Sequence, residues 1–146
     1  MLKNIPAILN ADVLYALRAM GHGDTLAIVD TNFPAESVAR HCVIESPARV
    51  DGVGIGGVVD AVLQLFPLEA AARMEVMGEP DTIPPAQADA LEAIARHAPD
   101  LDGVRGVERF QFYDEAKRAF AVIQTGERRF YGCVLFTKGV IAPDEA

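Results

Sequence analysis

Leu26-Ala27-Ile28-Val29-Asp30 is the stretch on which the fold turns. Four continuous apolar residues, rich in β-formers and too few for a helix, suit a strand covered on both faces. Strands of that kind belong to α/β sheets, where ligands gather in the crevice beyond the strand carboxyl ends, and Asp30 stands at that end of this one.

On the amino side, Asn10 or Asp12 caps a helix in which Val13, Leu14, Leu17 and Met20 recur at helical spacing, and Gly21 ends it. On the carboxyl side, Val43 and Ile44 are expected in a short strand. Val58, Val59, Val62, Leu63 and Phe66 form the buried stripe of a second helix, which Pro67 stops. Residues 73 to 77 are expected as a strand. Pro84 and Pro85 open a third helix that runs through Leu91 and Ile94 to His97, before Pro99 forbids continuation. From Asp100 to Gly106 the chain is loop-like. Val107 to Phe112 alternates as a strand does, with Arg109 a solvated strand residue, and Tyr113 to Arg118 makes a helical turn. The runs from Ala119 to Gln124 and from Phe130 to Phe136 are strand-like, and Thr125 to Arg129 between them has hairpin length and a turn glycine. An α/β domain with a mixed sheet follows.

The chain has 146 residues, the size of one core, so a single domain over 1–146 is expected. Thirteen Lys and Arg against 21 Asp and Glu give a net charge of −8, the wrong sign for neutralising phosphates. Nucleic acid and anionic membrane are therefore excluded as partners. Hydrophobic residues make up 51%, with a mean hydropathy of +0.18, which is apolar for so small a domain and points to subunit contacts in a homo-oligomer. No apolar run approaches the ~20 residues of a membrane helix, and Lys3-Asn4-Ile5-Pro6 opens no signal-peptide pattern. Cys42 and Cys133 make no disulfide framework and fit a reducing cytoplasm.

Gly52-Val53-Gly54-Ile55-Gly56-Gly57 has the spacing of a dinucleotide fingerprint. That fingerprint needs a hydrophobic strand running into its first glycine, and the segment from Ser46 to Asp51 is expected to break that context, leaving a flexible lead-in to a helix. His22, His41, Cys42, His97 and Cys133 supply metal-binding atoms without a recognised ligand spacing, so no metal site is expected. The better lead is Gly21-His22-Gly23-Asp24. A lone histidine is usually structural, but two flanking glycines free the backbone and let a substrate approach a ring suited to proton exchange near neutral pH. Asp30-Thr31-Asn32-Phe33-Pro34 adds a carboxylate, an amide and an aromatic ring, a mixture able to hold hydroxyl groups against the apolar face of a sugar.

Taken in order, Met20-Gly21-His22-Gly23-Asp24, Asp30-Thr31-Asn32-Phe33-Pro34, Glu108-Arg109-Phe110-Gln111-Phe112-Tyr113, Lys117-Arg118-Ala119-Phe120-Ala121-Val122 and Thr125-Gly126-Glu127 resemble the L-fucose mutarotase branch of the ribose pyranase/fucose mutarotase family. The resemblance covers nearly the whole chain. It implies a three-layer α/β/α fold and an isomerase that interconverts sugar anomers without a cofactor. Homo-oligomers are implied with it, ring-shaped decamers among them. His22 matches the catalytic histidine, with Tyr131 a second candidate proton carrier; Asp30, Arg109, Tyr131, Gly132 and Cys133 match substrate-binding positions. Cys133 departs from the usual Tyr-Gly-Asn, and a thiol is a weaker hydrogen-bonding group than a carboxamide. L-Fucose is the expected substrate and ribose a secondary one. The alternative is a noncatalytic sugar-binding or scaffold protein on the same fold.

Overall fold

A computed structural model describes residues 1–146. Six strands form one mixed sheet: β1 (Thr25–Val29), β2 (Ala48–Val50), β3 (Leu68–Met74), β4 (Arg105–Val107), β5 (Ala121–Thr125) and β6 (Val134–Lys138). Their order is β2-β5-β1-β6-β3-β4, and β1 lies at the centre, parallel to β5 and antiparallel to β6. The helices are α1 (Ala11–Ala19), α2 (Ala35–Ala39), α3 (Ile55–Leu63), α4 (Pro85–His97) and α5 (Arg109–Lys117).

Alternation along β1 divides the interior in two. Leu26 and Ile28 face a core shared with α1, α3 and α4, whereas Ala27 and Val29 face one shared with α2 and α5. The same alternation places Val134 and Phe136 of β6 on the first side and Leu135 on the second. Three layers, helix on sheet on helix, are the result.

The first and third predicted helices are observed, and the reasons are local. Asn10 caps α1 by accepting from Val13 N, and Pro85 occupies the first turn of α4, where its missing N–H costs nothing. The run from Asp100 to Gly106, expected as loop, ends in β4, which pairs with β3, and four further expectations need correction. Val43 and Ile44 lie in a bend; the short strand is β2, five residues later. The third strand begins at Leu68 rather than Arg73, because Ala70, Ala71 and Ala72 lack the branched side chains that mark strands in sequence. Arg109 is the first residue of α5, not a strand residue. Glu108 accepts from Phe110 N and Gln111 N as the N-cap, and Phe112 with Ala116 forms the buried stripe; outward-facing Phe110 imitates strand alternation. Finally, β5 and β6 do not pair as a hairpin, since β1 lies between them.

A strand does run close to the glycine-rich passage, contrary to expectation, but the passage offers no phosphate cradle. The first amide of α3, Ile55 N, donates to the Glu127 carboxylate (3.3 Å), so the chain's own anion occupies that helix end. Gly56 is small because a Cβ there would lie 2.8 Å from Asp89 Cβ on α4. Close packing of α3 on α4 accounts for it.

Candidate functional site

Parallel strands deliver their carboxyl ends to one edge of the sheet, and the connection from β5 to β6 crosses that edge over the end of β1. Thr31 N and Thr31 Oγ1 both donate to Glu127 O (2.9 Å each), tying the crossing segment down. The crossing sets Tyr131, Gly132 and Cys133 against Asp30. Gly132 N donates to Asp30 Oδ2 (3.1 Å), and the Cys133 thiol lies 3.6 Å from the same oxygen. Only glycine fits at 132, where a Cβ would meet Glu127 Cγ at 2.8 Å.

Between this segment and α5 lies a hollow of about 370 Å³, lined by Asp30, Asn32, Phe33, Met74, Arg109, Tyr113, Phe130, Tyr131 and Cys133. Its volume suits a small ligand. Aromatic rings form one wall, Phe33 standing edge-on to Tyr113 with centroids 5.3 Å apart. Arg109 projects from the start of α5; its Nε donates to Tyr113 Oη (3.0 Å) and its guanidinium sits 5.6 Å from that ring's centre. The Tyr131 phenol oxygen accepts from Met77 N (3.3 Å), which leaves its own proton free to donate.

Asp30 is 4% exposed, and burial raises its carboxyl above the ordinary range against four opposing hydrogen bonds. Oδ1 accepts from Asn32 N (3.0 Å) and Phe33 N (2.9 Å), while Oδ2 takes Gly132 N and the Cys133 thiol. Burial also pushes the Cys133 thiol well up, so it is a neutral donor rather than a thiolate. The Gly132 amide is committed to Asp30, and Cys133 N donates to Tyr131 O (2.8 Å); these residues shape the wall through backbone already engaged.

Four of the predicted residues, Asp30, Arg109, Tyr131 and Cys133, therefore meet around one hollow, with Gly132 directly behind it. His22 is not among them. It lies before β1, and that five-residue strand places it roughly 16 Å or more from Asp30 at about 3.3 Å per residue. Its ring is largely exposed, and Nε2 is 2.8 Å from Glu69 Oε2 on β3. His41 follows α2 on the surface, and His97 pairs with Asp60 (2.9 Å), so the hollow contains no imidazole of its own. Asp30 thus does not touch His22 within the chain.

Two residues to which the sequence assigns no role in the site support it. Gln87 on α4 is fully buried, and its Nε2 donates to Met74 O (2.6 Å) and Tyr131 O (2.8 Å). Tyr131 has φ +61°, a left-handed conformation that a non-glycine residue keeps only when neighbours impose it. Glu127 accepts from Arg129 N and Nε (2.9 Å each) and from Arg129 Nη2 (2.8 Å), and its carboxyl is held down at about 2, chiefly by Arg129. A polar residue inside the apolar stripe of a proline-started helix is the signal that marked Gln87.

Residues 3–141 match the model of the RbsD / FucU transport protein family. The chain is 42% identical to the fucose mutarotase of Homo sapiens, over 97% of this chain and 95% of that protein. It is 41% identical to the fucose mutarotase of Danio rerio, over 99% and 97% respectively. Among solved structures, the fucose mutarotase of Streptococcus pneumoniae in complex with L-fucose superposes with a TM-score of 0.85 at 34% identity, covering 97% of this chain and 100% of that one.

Proposed function

The chain belongs to the RbsD/FucU family, and on that footing we propose that it is an L-fucose mutarotase, an isomerase that interconverts the α and β anomers of the sugar. The observation that carries the reading is the hollow at the strand carboxyl ends, where Asp30, Arg109, Tyr131 and Cys133 converge beside Phe33 and Tyr113. Aromatic faces receive the apolar side of a pyranose, and Arg109 and Tyr131 donate to its hydroxyls. Ribose is a second substrate of the same hollow, through exchange of its pyranose and furanose forms.

Mutarotation opens a cyclic hemiacetal. The anomeric hydroxyl loses a proton, the ring oxygen gains one, the bond from C1 to the ring oxygen breaks, and an aldehyde forms at C1. Rotation about C1–C2 followed by the reverse transfers closes the other anomer. No electrons change hands, so the chemistry calls for proton carriers and for no redox group. His22 supplies the ring-oxygen proton and recovers one on closure, and Tyr131 serves the opposite oxygen.

Within one chain His22 and the hollow occupy opposite ends of β1, so the working site takes its imidazole from a second copy. Repetition of that head-to-tail contact generates a closed ring, and decamers are one such assembly. Phe130, Phe110 and Met77 leave more than half of their surface exposed around the mouth of the hollow, an apolar rim suited to such a contact. No helix is long and apolar enough to cross a membrane, and the two free cysteines suit work in a reducing cytoplasm.

The test is saturation transfer between the anomeric proton resonances of L-fucose, with wild type, with His22→Ala and without protein. Exchange accelerated by wild type and lost in His22→Ala is expected; equal exchange in both proteins removes His22 from the mechanism. Saturable binding without acceleration by wild type overturns the enzyme reading itself.

A further inference from the structure

From the pairing of His22 with Glu69, we infer that Glu69 is a positioning residue for the reaction, one that fixes the tautomer and orientation of the catalytic imidazole. The inference rests on His22 being the proton carrier. Its observation is the 2.8 Å contact between His22 Nε2 and Glu69 Oε2, two residues 47 positions apart. The glycines at 21 and 23 let the ring turn freely, so something must hold it, and a carboxylate on a strand is a firm partner.

The surroundings are built to keep that pair in place. Gly23 N donates to Lys138 O (2.9 Å) and Lys138 N to Asp24 O (2.9 Å), stitching the histidine loop to the end of β6. Gly139 N donates to Pro67 O (2.7 Å), and a Cβ on Gly139 would come within 3.3 Å of Glu69 Cβ, so β6 runs tightly beside the glutamate. Two of the other charges nearby are already occupied. Asp24 Oδ2 accepts from Gly21 N (2.7 Å), and Lys138 Nζ donates to Leu17 O (2.8 Å) and Met20 O (2.7 Å) at the end of α1. Across from Glu69, His97, Asp100 and Asp102 line the same shallow depression, and His97 is engaged with Asp60. Glu69 is the carboxylate that reaches the ring.

With Nε2–H donated to Glu69, Nδ1 is the nitrogen left facing outward. It is the atom that carries a proton to the sugar ring oxygen and recovers one on closure. Glu69 gains and loses no proton in this cycle. It accepts the same hydrogen bond throughout, so each turnover finds Nδ1 pointed at the substrate.

The experiment compares Glu69→Ala, Glu69→Gln, His22→Ala and the double variant His22→Ala/Glu69→Ala in L-fucose anomer exchange. Glu69 is half exposed, so its removal is compatible with folding, which circular dichroism and light scattering verify. Glu69→Ala is expected to lower kcat about tenfold with KM within about twofold, and Glu69→Gln, which keeps an acceptor, to recover part of the loss. Nitrogen NMR of ¹⁵N-histidine-labelled protein, at a pH where the ring is neutral, is expected to show His22 as the Nε2–H tautomer in wild type and a mixture in Glu69→Ala. In the His22→Ala background, loss of Glu69 is expected to change the rate no further. A Glu69→Ala protein with unchanged kcat beside an inactive His22→Ala overturns this inference and leaves the mutarotase reading standing. An active His22→Ala protein removes His22 from the mechanism and overturns this inference with it.

Discussion

The two ends of β1 are built on opposite plans. At the carboxyl end Asp30 is buried, every one of its hydrogen-bonding positions is used, and the segment from Glu127 to Cys133 is clamped over it. At the amino end His22 stands largely in the open between two glycines, held through a single contact to Glu69. A binding wall must be rigid before the ligand arrives, because ordering it afterwards would subtract from affinity. The proposed proton carrier must instead reach its substrate, and the hollow of its own chain lies at the far end of β1. On the proposed reading, the difference teaches that one copy of this protein holds two halves of a site rather than one site.

The largest effect tests that division directly. His22→Ala is expected to lose ~10²- to 10⁴-fold of the exchange rate, the usual worth of a positioned acid or base, while sugar binding survives. Arg109→Ala is expected to lose binding while its imidazole stays intact. When the two inactive proteins are unfolded, mixed and refolded together, some contacts join an intact hollow to an intact His22. Random association in a head-to-tail ring returns activity toward about a quarter of wild type. No recovery, in mixed assemblies verified by mass spectrometry, would place both halves within one chain and break the comparison.

How the carboxyl end was foreseen, and how it was not, follows from the range of the signals. The central strand, α1 and α4 carry their causes within a few residues: a dense apolar run, an asparagine cap, a proline start. Asp30 after such a strand points to the edge of the sheet where the hollow lies. The crossing of residues 126–133 over β1 was invisible, because a short turn-forming segment between two strand-like runs has the same local pattern as a hairpin. Whether β1 inserts between them is decided by long-range pairing. Arg109 was misplaced for a related reason, since six residues are too few to separate an alternating strand from the first turn of a helix. Separation of His22 from the hollow likewise depends on which end of the strand each loop serves, which residue types do not declare.

Rigidity of the carboxyl end has a second test in Gln87. Gln87→Leu fills the same space but removes the side-chain donor from Met74 O and leaves Tyr131 O with Cys133 N alone, at a cost of about 2 kcal/mol. Released from that bond, Tyr131 relaxes from its left-handed conformation, and KM for L-fucose rises. Urea unfolding and the exchange assay measure the two effects. A destabilised protein with unchanged KM would show that the tyrosine's backbone does not need imposing.

Next in size is the acid response of the clamp. Glu127 has a folded-state pKa of about 2 against an unfolded value of 4.5, so its contribution is fully present above pH 4.5 and is lost as pH falls toward 2. Asp30 has the opposite sign: burial raises it above 3.8, so its ionised form weakens the fold as pH rises through that raised value. Glu127→Gln is expected to cost roughly 2 kcal/mol at pH 7 and to flatten the stability curve between pH 4.5 and 2. Denaturation across that range reads the slope. A curve as steep as wild type would mean that Arg129 does not hold the clamp through charge.

The smallest expected effect concerns the wall itself. Cys133 is 2% exposed and neutral, and offers Asp30 only a long thiol contact of 3.6 Å. Cys133→Asn substitutes a carboxamide of similar size, with two donors and an acceptor in place of one weak donor. Stability is expected to change by less than about 1 kcal/mol, since the carboxamide has Asp30 as a ready partner. The hydroxyl pattern presented to the hollow changes more. Relative exchange rates for L-fucose, D-ribose and D-galactose are therefore expected to shift while the melting temperature barely moves. The opposite outcome, an unchanged sugar profile with a large loss of stability, would make Cys133 a part of the rigid wall alone, and would leave selectivity to Arg109 and the aromatic rings.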